Sequence, residues 1–231
     1  MTIANTKILL VDDDPAIRKL VLRFLSQKNY QMESAQNGKS ALDLFDEFKP
    51  DLVILDVNLP DINGYALCQQ MQARTDVFVL MLTSRTDASD KIEGFSKGAD
   101  DYLTKPFDLQ ELEYRVQAIL RRQRTVVAGE EKEILAFNNL IIDPVSREVK
   151  VNGELVVLTA LEFELLYLLA SSPGRAWHRS ELIEKVWDYD YIGAQRVVDV
   201  HIGQIRKKIE VDSSNPSLIQ TVRGVGYKFQ A

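Results

Sequence analysis

The sequence predicts an α/β domain built on a mostly parallel sheet, followed by a separate α+β domain. Three observations carry that expectation. Residues 1–122 alternate short apolar runs with amphipathic stretches. The polar run QRTVVAGEEKE at 123–133 has no periodicity and reads as a linker. Residues 134–231 then change grammar, with strand-like pieces first, three helices next and a closing hairpin.

In the first domain the expected strands are KILLV (7–11), YQMESA (30–35), DLVILD (51–56), VFVLML (77–82) and YLT (102–104). Helical segments fall between and after them at 15–28, 38–48, 63–73, 88–97 and 108–122. Strands separated by single helices imply right-handed βα units. Pro15 suits a first helical turn behind Asp14 as cap, and Asp108 suits the cap of the last helix. In the second domain, strand-like pieces at 134–142, 146–151 and 154–158 precede helices at 159–172, 179–187 and about 195–210. LIQTV, RGVG and YKF then read as strand, turn and strand.

With 231 residues, 45% of them hydrophobic, the chain can bury two cores. It has neither a signal-peptide pattern nor an apolar stretch of about 18 residues, so the expected location is cytoplasmic, without a membrane partner. A single cysteine, Cys68, excludes an intramolecular disulfide, and with only His178 and His201 beside it a zinc cluster is not expected. Its expected role is core packing on a helix. The net charge of −6 looks wrong for a nucleic-acid partner, but the local field matters more. Residues 196–228 hold 6 basic and 3 acidic side chains.

In an open parallel sheet, ligands bind beyond the carboxyl ends of the strands. Here those ends carry Asp12, Asp13 and Asp56. A lone carboxylate at such a place usually just caps the following helix. Three together repel unless a cation joins them, and oxygen-only ligands favour Mg²⁺. Thr83 ends the fourth strand and Lys105 follows the fifth, with Pro106 fixing the turn after it. Acids, a hydroxyl and an ammonium around a hard cation suit a phosphoryl group, and an aspartate can itself take one as an acyl phosphate.

VDDDP, LDVNLPDINGY, MLTS and GADDYLTKPF together resemble the receiver domain of two-component response regulators. The resemblance implies a flavodoxin-like, doubly wound five-stranded parallel sheet of order 2-1-3-4-5. Asp56 would accept phosphate from a sensor histidine kinase. Asp13, Asp56 and the backbone carbonyl of Asn58 would hold Mg²⁺, with Asp12 assisting. Lys105 would pair with the phosphoryl oxygens, and Thr83 and Tyr102 would form the switch pair. Asn58 and Arg85, beside the phosphoryl site, are expected to tune its lifetime. Lys91, Asp100, Asp101, Glu111, Arg115 and Arg122 alternate in sign on one expected face. Such patterns are usually solvated surface, yet the resemblance implies pairing across a homodimer formed on phosphorylation.

On the helix at about 195–210, Val198, Ile202, Ile205 and Ile209 form a core-facing stripe. Arg196, Val200, Gly203, Gln204 and Lys207 lie opposite, with Arg206 and Lys208 at the flanks. A basic face with short side chains suits a DNA major groove. LTALEFELLYLLASSPGRAWHRSELIEKVW, RVVDVHIGQIRKKIE and IQTVRGVGYKF are similar to the winged-helix effector domain of the OmpR/PhoB family. That similarity divides the chain into a receiver at 1–122, a linker at 123–133 and a winged-helix domain at 134–231. It implies contacts from Arg196, Val200, His201 and Arg206 to double-stranded promoter DNA, support from Trp187 and Thr221, and a minor-groove contact from Arg223. RNA polymerase is a further candidate partner. Gly203 and Gln204 stand where some members have arginines, so strong guanine reading is not expected there, although Gln204 could pair with adenine.

Enzyme readings fail on motif. NGKS (37–40) imitates the end of a P-loop, but Glu33 stands where that motif needs glycine. An aspartyl phosphatase with D-x-D-x-T would need a second acid at Asn58. The expected function is a phosphorylation-controlled transcription regulator that assists only its own Mg²⁺-dependent phosphotransfer and dephosphorylation. The alternative is a DNA-binding regulator that keeps a receiver scaffold without using phosphate.

Overall fold

The computed structural model describes residues 6–75, 77–84, 98–125, 133–187 and 196–230, without the side chains of 121–125. It divides into two compact units, Met1–Arg121 and Arg122–Ala231.

In the first unit, β1 (Lys7–Val11), β2 (Gln31–Ala35), β3 (Leu52–Asp56), β4 (Phe78–Thr83) and β5 (Asp101–Thr104) form one sheet of order β2-β1-β3-β4-β5. Every neighbouring pair is parallel. β3 and β4 are buried along their whole length, which is why they read as unbroken apolar runs rather than alternating ones. β2, at the edge, alternates between exposed and half-buried residues as far as the buried Ala35.

Helix α1 (Pro15–Ser26) starts behind Asp14, whose carboxylate accepts from the backbone N–H groups of Ala16 and Ile17. Helices α2 (Gly38–Phe48) and α3 (Gly64–Gln72) follow their strands. Cys68 is buried in α3, where loss of water pushes its thiol pKa up, in keeping with core packing. Asp108 caps α4 (Leu109–Thr125) through the N–H groups of Gln110 and Glu111. This helix continues past its expected end and into the stretch read as linker. The remainder of that stretch, 126–132, and the helix expected at 88–97 lie outside the described residues.

The second unit opens with an antiparallel sheet of β6 (Leu135–Ala136), β7 (Leu140–Asp143), β8 (Glu148–Val151) and β9 (Glu154–Val156). The piece expected as one strand over 134–142 is in fact a tight hairpin. Phe137 and Leu140 exchange backbone hydrogen bonds of 2.8 and 3.3 Å, which turns the chain back on itself. Helix α5 (Ala160–Ala170) begins with a capping box in which Thr159 and Glu162 satisfy each other's backbone N–H. Helices α6 (Arg179–Val186) and α7 (Arg196–Ile209) follow.

The final hairpin, β11 (Ile219–Val222) and β12 (Gly226–Phe229), gains a third strand, β10 (Trp177–His178), which pairs with β12. Only glycine fits at 226, since a Cβ there would stand 2.2 Å from the Trp177 carbonyl oxygen. Among the described residues no helix is long and apolar enough to cross a membrane.

Candidate functional site

Val11 and Leu55 are partners in the β1–β3 register, so the next residue of each strand, Asp12 and Asp56, emerges side by side at the carboxyl edge. Carboxylate oxygens of Asp12, Asp13 and Asp56 all lie within 4.8 Å of one another. Asp12 is 0% and Asp56 4% exposed, whereas Asp13 is open to solvent. From the end of β5, Lys105 places its Nζ 2.6 Å from Asp12 Oδ2 and 2.7 Å from Asp56 Oδ2. The Lys105–Pro106 bond is cis.

Burial raises the pKa of Asp12, and this outweighs the hydrogen bond and charge of Lys105 and the N–H of Asp14, which act in the opposite direction. Burial by itself would lower the pKa of Lys105, but hydrogen bonds and charge from Asp12 and Asp56 hold it above the usual lysine value. A charged ammonium therefore offsets the cost of keeping two acids in a nearly dry pocket. One ammonium against three carboxylates leaves the pocket acidic, with Asp13 at its mouth. Its donor set is oxygen only, as a hard divalent cation requires.

The surrounding loops fix these acids. Asp12 Oδ1 accepts from the Asp14 N–H at 2.9 Å, and Arg18 Nη1 donates to the Asp12 carbonyl at 2.6 Å. Asp56 Oδ1 accepts from the Asn58 N–H at 3.1 Å. The loop after β3 folds back so closely that a Cβ at Gly64 would lie 2.2 Å from the Asp56 carbonyl oxygen. Asp61, in that loop, accepts from the N–H groups of Gly38 and Lys39 at 2.8 and 3.0 Å, tying the loop to the start of α2. Thr83 is buried at the end of β4, and its carbonyl accepts from the Lys105 N–H at 2.7 Å. Tyr102 is buried on β5, and burial pushes its phenol pKa up.

In the second unit, α7 buries Val198, Ile202, Ile205 and Ile209. On the opposite side Arg196 and Lys207 are exposed, with Val200, Gly203 and Gln204 partly so. At the β11–β12 turn Arg223 is exposed, followed by Gly224 at φ 75°, a conformation that favours glycine.

A family model described as the response regulator receiver domain matches residues 8–117, and one described as the C-terminal domain of transcriptional regulatory proteins matches 153–229. The solved structure of DrrB, a Thermotoga maritima OmpR/PhoB homologue, is 37% identical, with a TM-score of 0.51 over 97% of this chain and 99% of that one. The chain belongs to the OmpR/PhoB family of response regulators. This response regulator is also 43% identical to a probable transcriptional regulator, ycf27, of Guillardia theta, over 97% of this chain and 90% of that one. It is 42% identical to the response regulator MprA of Mycolicibacterium vanbaalenii, over 96% of each. A RitR mutant of known structure aligns with a TM-score of 0.84 at 27% identity, over 97% of this chain and 99% of that one.

Asp12, Asp13, Asp56 and Lys105 of the response regulator come together as expected, with Thr83 on the same rim. The expected dimer face is altered by the structure. Asp100 is fully enclosed, its carboxylate accepting from the Val79 N–H at 2.7 Å, so it is not a surface charge. Asp101 is buried as well and pairs within the same chain, bonding both carboxylate oxygens to Arg115 Nη1 at 3.0 and 2.8 Å. Arg115 also donates to Glu111. Burial lowers the pKa of Arg115, but the charge of Asp101 and the bonds to both acids outweigh it and leave the pKa raised. Lys91 and Arg85 lie outside the described residues, as does the Arg122 side chain.

The face of the response regulator expected to meet DNA is also narrower than the sequence implies. His201 is 0% exposed and packs against the buried Trp187 ring at 5.5 Å between centroids, so both belong to the core. His201 widens the buried face of α7, and Trp187, at the end of α6, packs on it. Lys208 pairs with Glu162 at 2.6 Å, and the Arg206 guanidinium bonds to Ile219 and Thr221 on β11.

Sequence reading missed Arg18, Asp61, Arg179, Asp199, Glu210 and Tyr227. Asp199 accepts from Arg179 Nε at 2.7 Å and from the Tyr227 hydroxyl at 2.6 Å, joining α6, α7 and β12. The one hint was an acid in the first turn of a basic helix, and its partners lie 20 and 28 residues away along the chain.

Proposed function

We propose that this response regulator is a DNA-binding transcription factor switched by phosphorylation of Asp56, with a sensor histidine kinase as donor. The observation that carries the reading is Lys105, which bonds Asp12 and Asp56 together beside Asp13. Such a pocket has both a nucleophilic carboxylate and a fixed cation for the oxygens of a phosphoryl group.

Asp13 and Asp56, with the Asn58 carbonyl and help from Asp12, would hold Mg²⁺. The bound ion would neutralise charge on the transferring group. An Asp56 carboxylate oxygen attacks phosphorus, the phosphorus–nitrogen bond of a phosphohistidine breaks, and an acyl phosphate forms. Water later attacks phosphorus and returns the carboxylate and inorganic phosphate. Lys105, leaving its partner acids, would pair with the new phosphoryl oxygens, and Thr83 would turn its hydroxyl to them while Tyr102 fills the space behind. A local charge change would thereby bias a two-state surface.

In the same reading, phosphorylation favours a homodimer in which Asp101, Glu111 and Arg115, with Lys91 and Arg122 as their expected partners, pair between copies, so that each contact occurs twice. The intrachain pairs of Arg115 would then exchange for pairs across the two-fold. Arg196, Val200, Gln204 and Lys207 of α7 would face the major groove of promoter DNA, and Arg223 the minor groove. RNA polymerase is the further partner such a regulator acts on, in the cytoplasm.

The test is intact-mass measurement after exposure to Mg²⁺ and a small phosphodonor. One added phosphoryl group on the wild-type chain and none on Asp56→Asn supports the reading. Equal labelling of both would sink it.

A further inference from the structure

Glu210, the residue after α7, turns its carboxylate onto the chain entering β11. Its Oε1 accepts from the N–H groups of Leu218 and Ile219 at 2.9 and 2.8 Å. Its Oε2 accepts from the N–H and hydroxyl of Ser217 at 2.9 and 3.0 Å, and from Leu218 N–H at 3.1 Å. One turn earlier on α7, Arg206 donates to the Ile219 carbonyl through Nε at 2.9 Å and Nη2 at 2.6 Å. The same Nη2 donates to Thr221 Oγ1 at 2.9 Å. An acid thus holds the strand's donors and a base one turn away holds its acceptor.

We infer that Glu210 and Arg206 are positioning residues that clamp the β11–β12 hairpin to α7, so that helix and hairpin bind DNA as one preformed unit. This rests on the DNA-binding reading above and concerns how that surface is built.

Two points of physical chemistry separate the clamp from simpler roles. A carboxylate beside a DNA-binding face opposes a polyanion, so removing it should tighten binding if charge were all that mattered. A clamp gives the opposite sign, because a loose hairpin must be ordered on binding and that entropy is then lost from affinity. Arg206, in turn, spends its donors on Ile219 and Thr221. Burial also lowers its pKa, against the opposing influence of Tyr227 and Glu210, as expected of a guanidinium partly withdrawn from water.

The hydrogen bonds are tested without DNA by amide exchange on the free, full-length protein. In the wild type the N–H groups of Ser217, Leu218 and Ile219 should exchange slowly, and in Glu210→Ala they should exchange faster while α5 stays protected. Unchanged exchange at all three would overturn the clamp. Their effect on binding is read with a single duplex that the wild-type chain enriches from a random pool. Glu210→Ala should bind it roughly tenfold more weakly, a difference of about 1.4 kcal/mol. The loss caused by Arg223→Ala should shrink in the Glu210→Ala background, because a hairpin already loose has less left to lose.

Equal or tighter binding by Glu210→Ala, or losses that simply add, would overturn the inference. Glu210→Gln keeps an acceptor oxygen and should fall between wild type and alanine, which serves if the alanine variant folds poorly. A wild-type chain that enriches no duplex would overturn the DNA-binding reading, whatever the exchange shows.

Discussion

Lys105 stands 2.7 Å from Asp56 and also bonds Asp12, so a single ammonium holds two acids that lie 49 and 93 residues before it in the chain. The pairing explains how carboxylates so little exposed tolerate each other. It also states what happens when the cation is taken away.

Lys105→Ala should destabilise the receiver by about 1–3 kcal/mol without added metal, because it leaves neighbouring buried acids unpaired. Mg²⁺ should then raise the unfolding temperature of the variant more than that of the wild type, since it would replace a missing positive charge. Thermal unfolding of both proteins with and without Mg²⁺ checks both statements. An equal or smaller Mg²⁺ gain in the variant would contradict the second.

Two glycines should respond oppositely to alanine. At Gly64 the new Cβ would meet backbone, 2.2 Å from the Asp56 carbonyl oxygen and 2.8 Å from Val57 Cα, so the loop after β3 must shift. A cost of about 1–3 kcal/mol follows from overpacking of this kind. At Gly203, on α7, nothing lies within 4 Å of the new Cβ. Helix propensity then predicts a gain of about 0.5–1 kcal/mol. Urea unfolding of the two variants measures both.

Tyr227 gives the effector domain a pH dependence of known sign. Burial and the Asp199 carboxylate push its phenol up to about 12, from an ordinary value of 10.0. The folded chain therefore holds this proton more tightly than the unfolded chain. Its contribution is fully present below pH 10 and is lost as pH rises toward about 12. Denaturant unfolding at a series of alkaline pH values should show wild type falling relative to Tyr227→Phe, by on the order of 1–2 kcal/mol. A constant difference between the two proteins would argue against this assignment.

Arg223 stands exposed at the hairpin tip. Arg223→Ala should weaken duplex binding and reduce the slope of affinity against salt by about 1, as loss of one cationic contact does. Affinity unchanged at two salt concentrations would remove Arg223 from the DNA surface.

Much of this molecule is legible in its sequence because the relevant physics is local or periodic. Continuous apolar runs announce strands buried on both faces, and Asp14 and Asp108 announce helix starts because a cap acts within three residues. The acid pocket is legible too, since a parallel sheet must bring the carboxyl ends of its strands to one edge. Asp12, Asp13, Asp56, Thr83 and Lys105 each sit at such an end.

Tertiary structure alone decided the rest. Asp100, Asp101 and His201 look like surface groups in a polar sequence, yet packing encloses all three. A two-residue strand such as β10 has no period to detect, and it exists because β12 offers it a backbone partner. Glu210 and Arg206 read as two more charges at the end of a basic helix. Only the folded chain brings β11 against them, because hydrogen bonds between residues distant in sequence depend on where the core places each element.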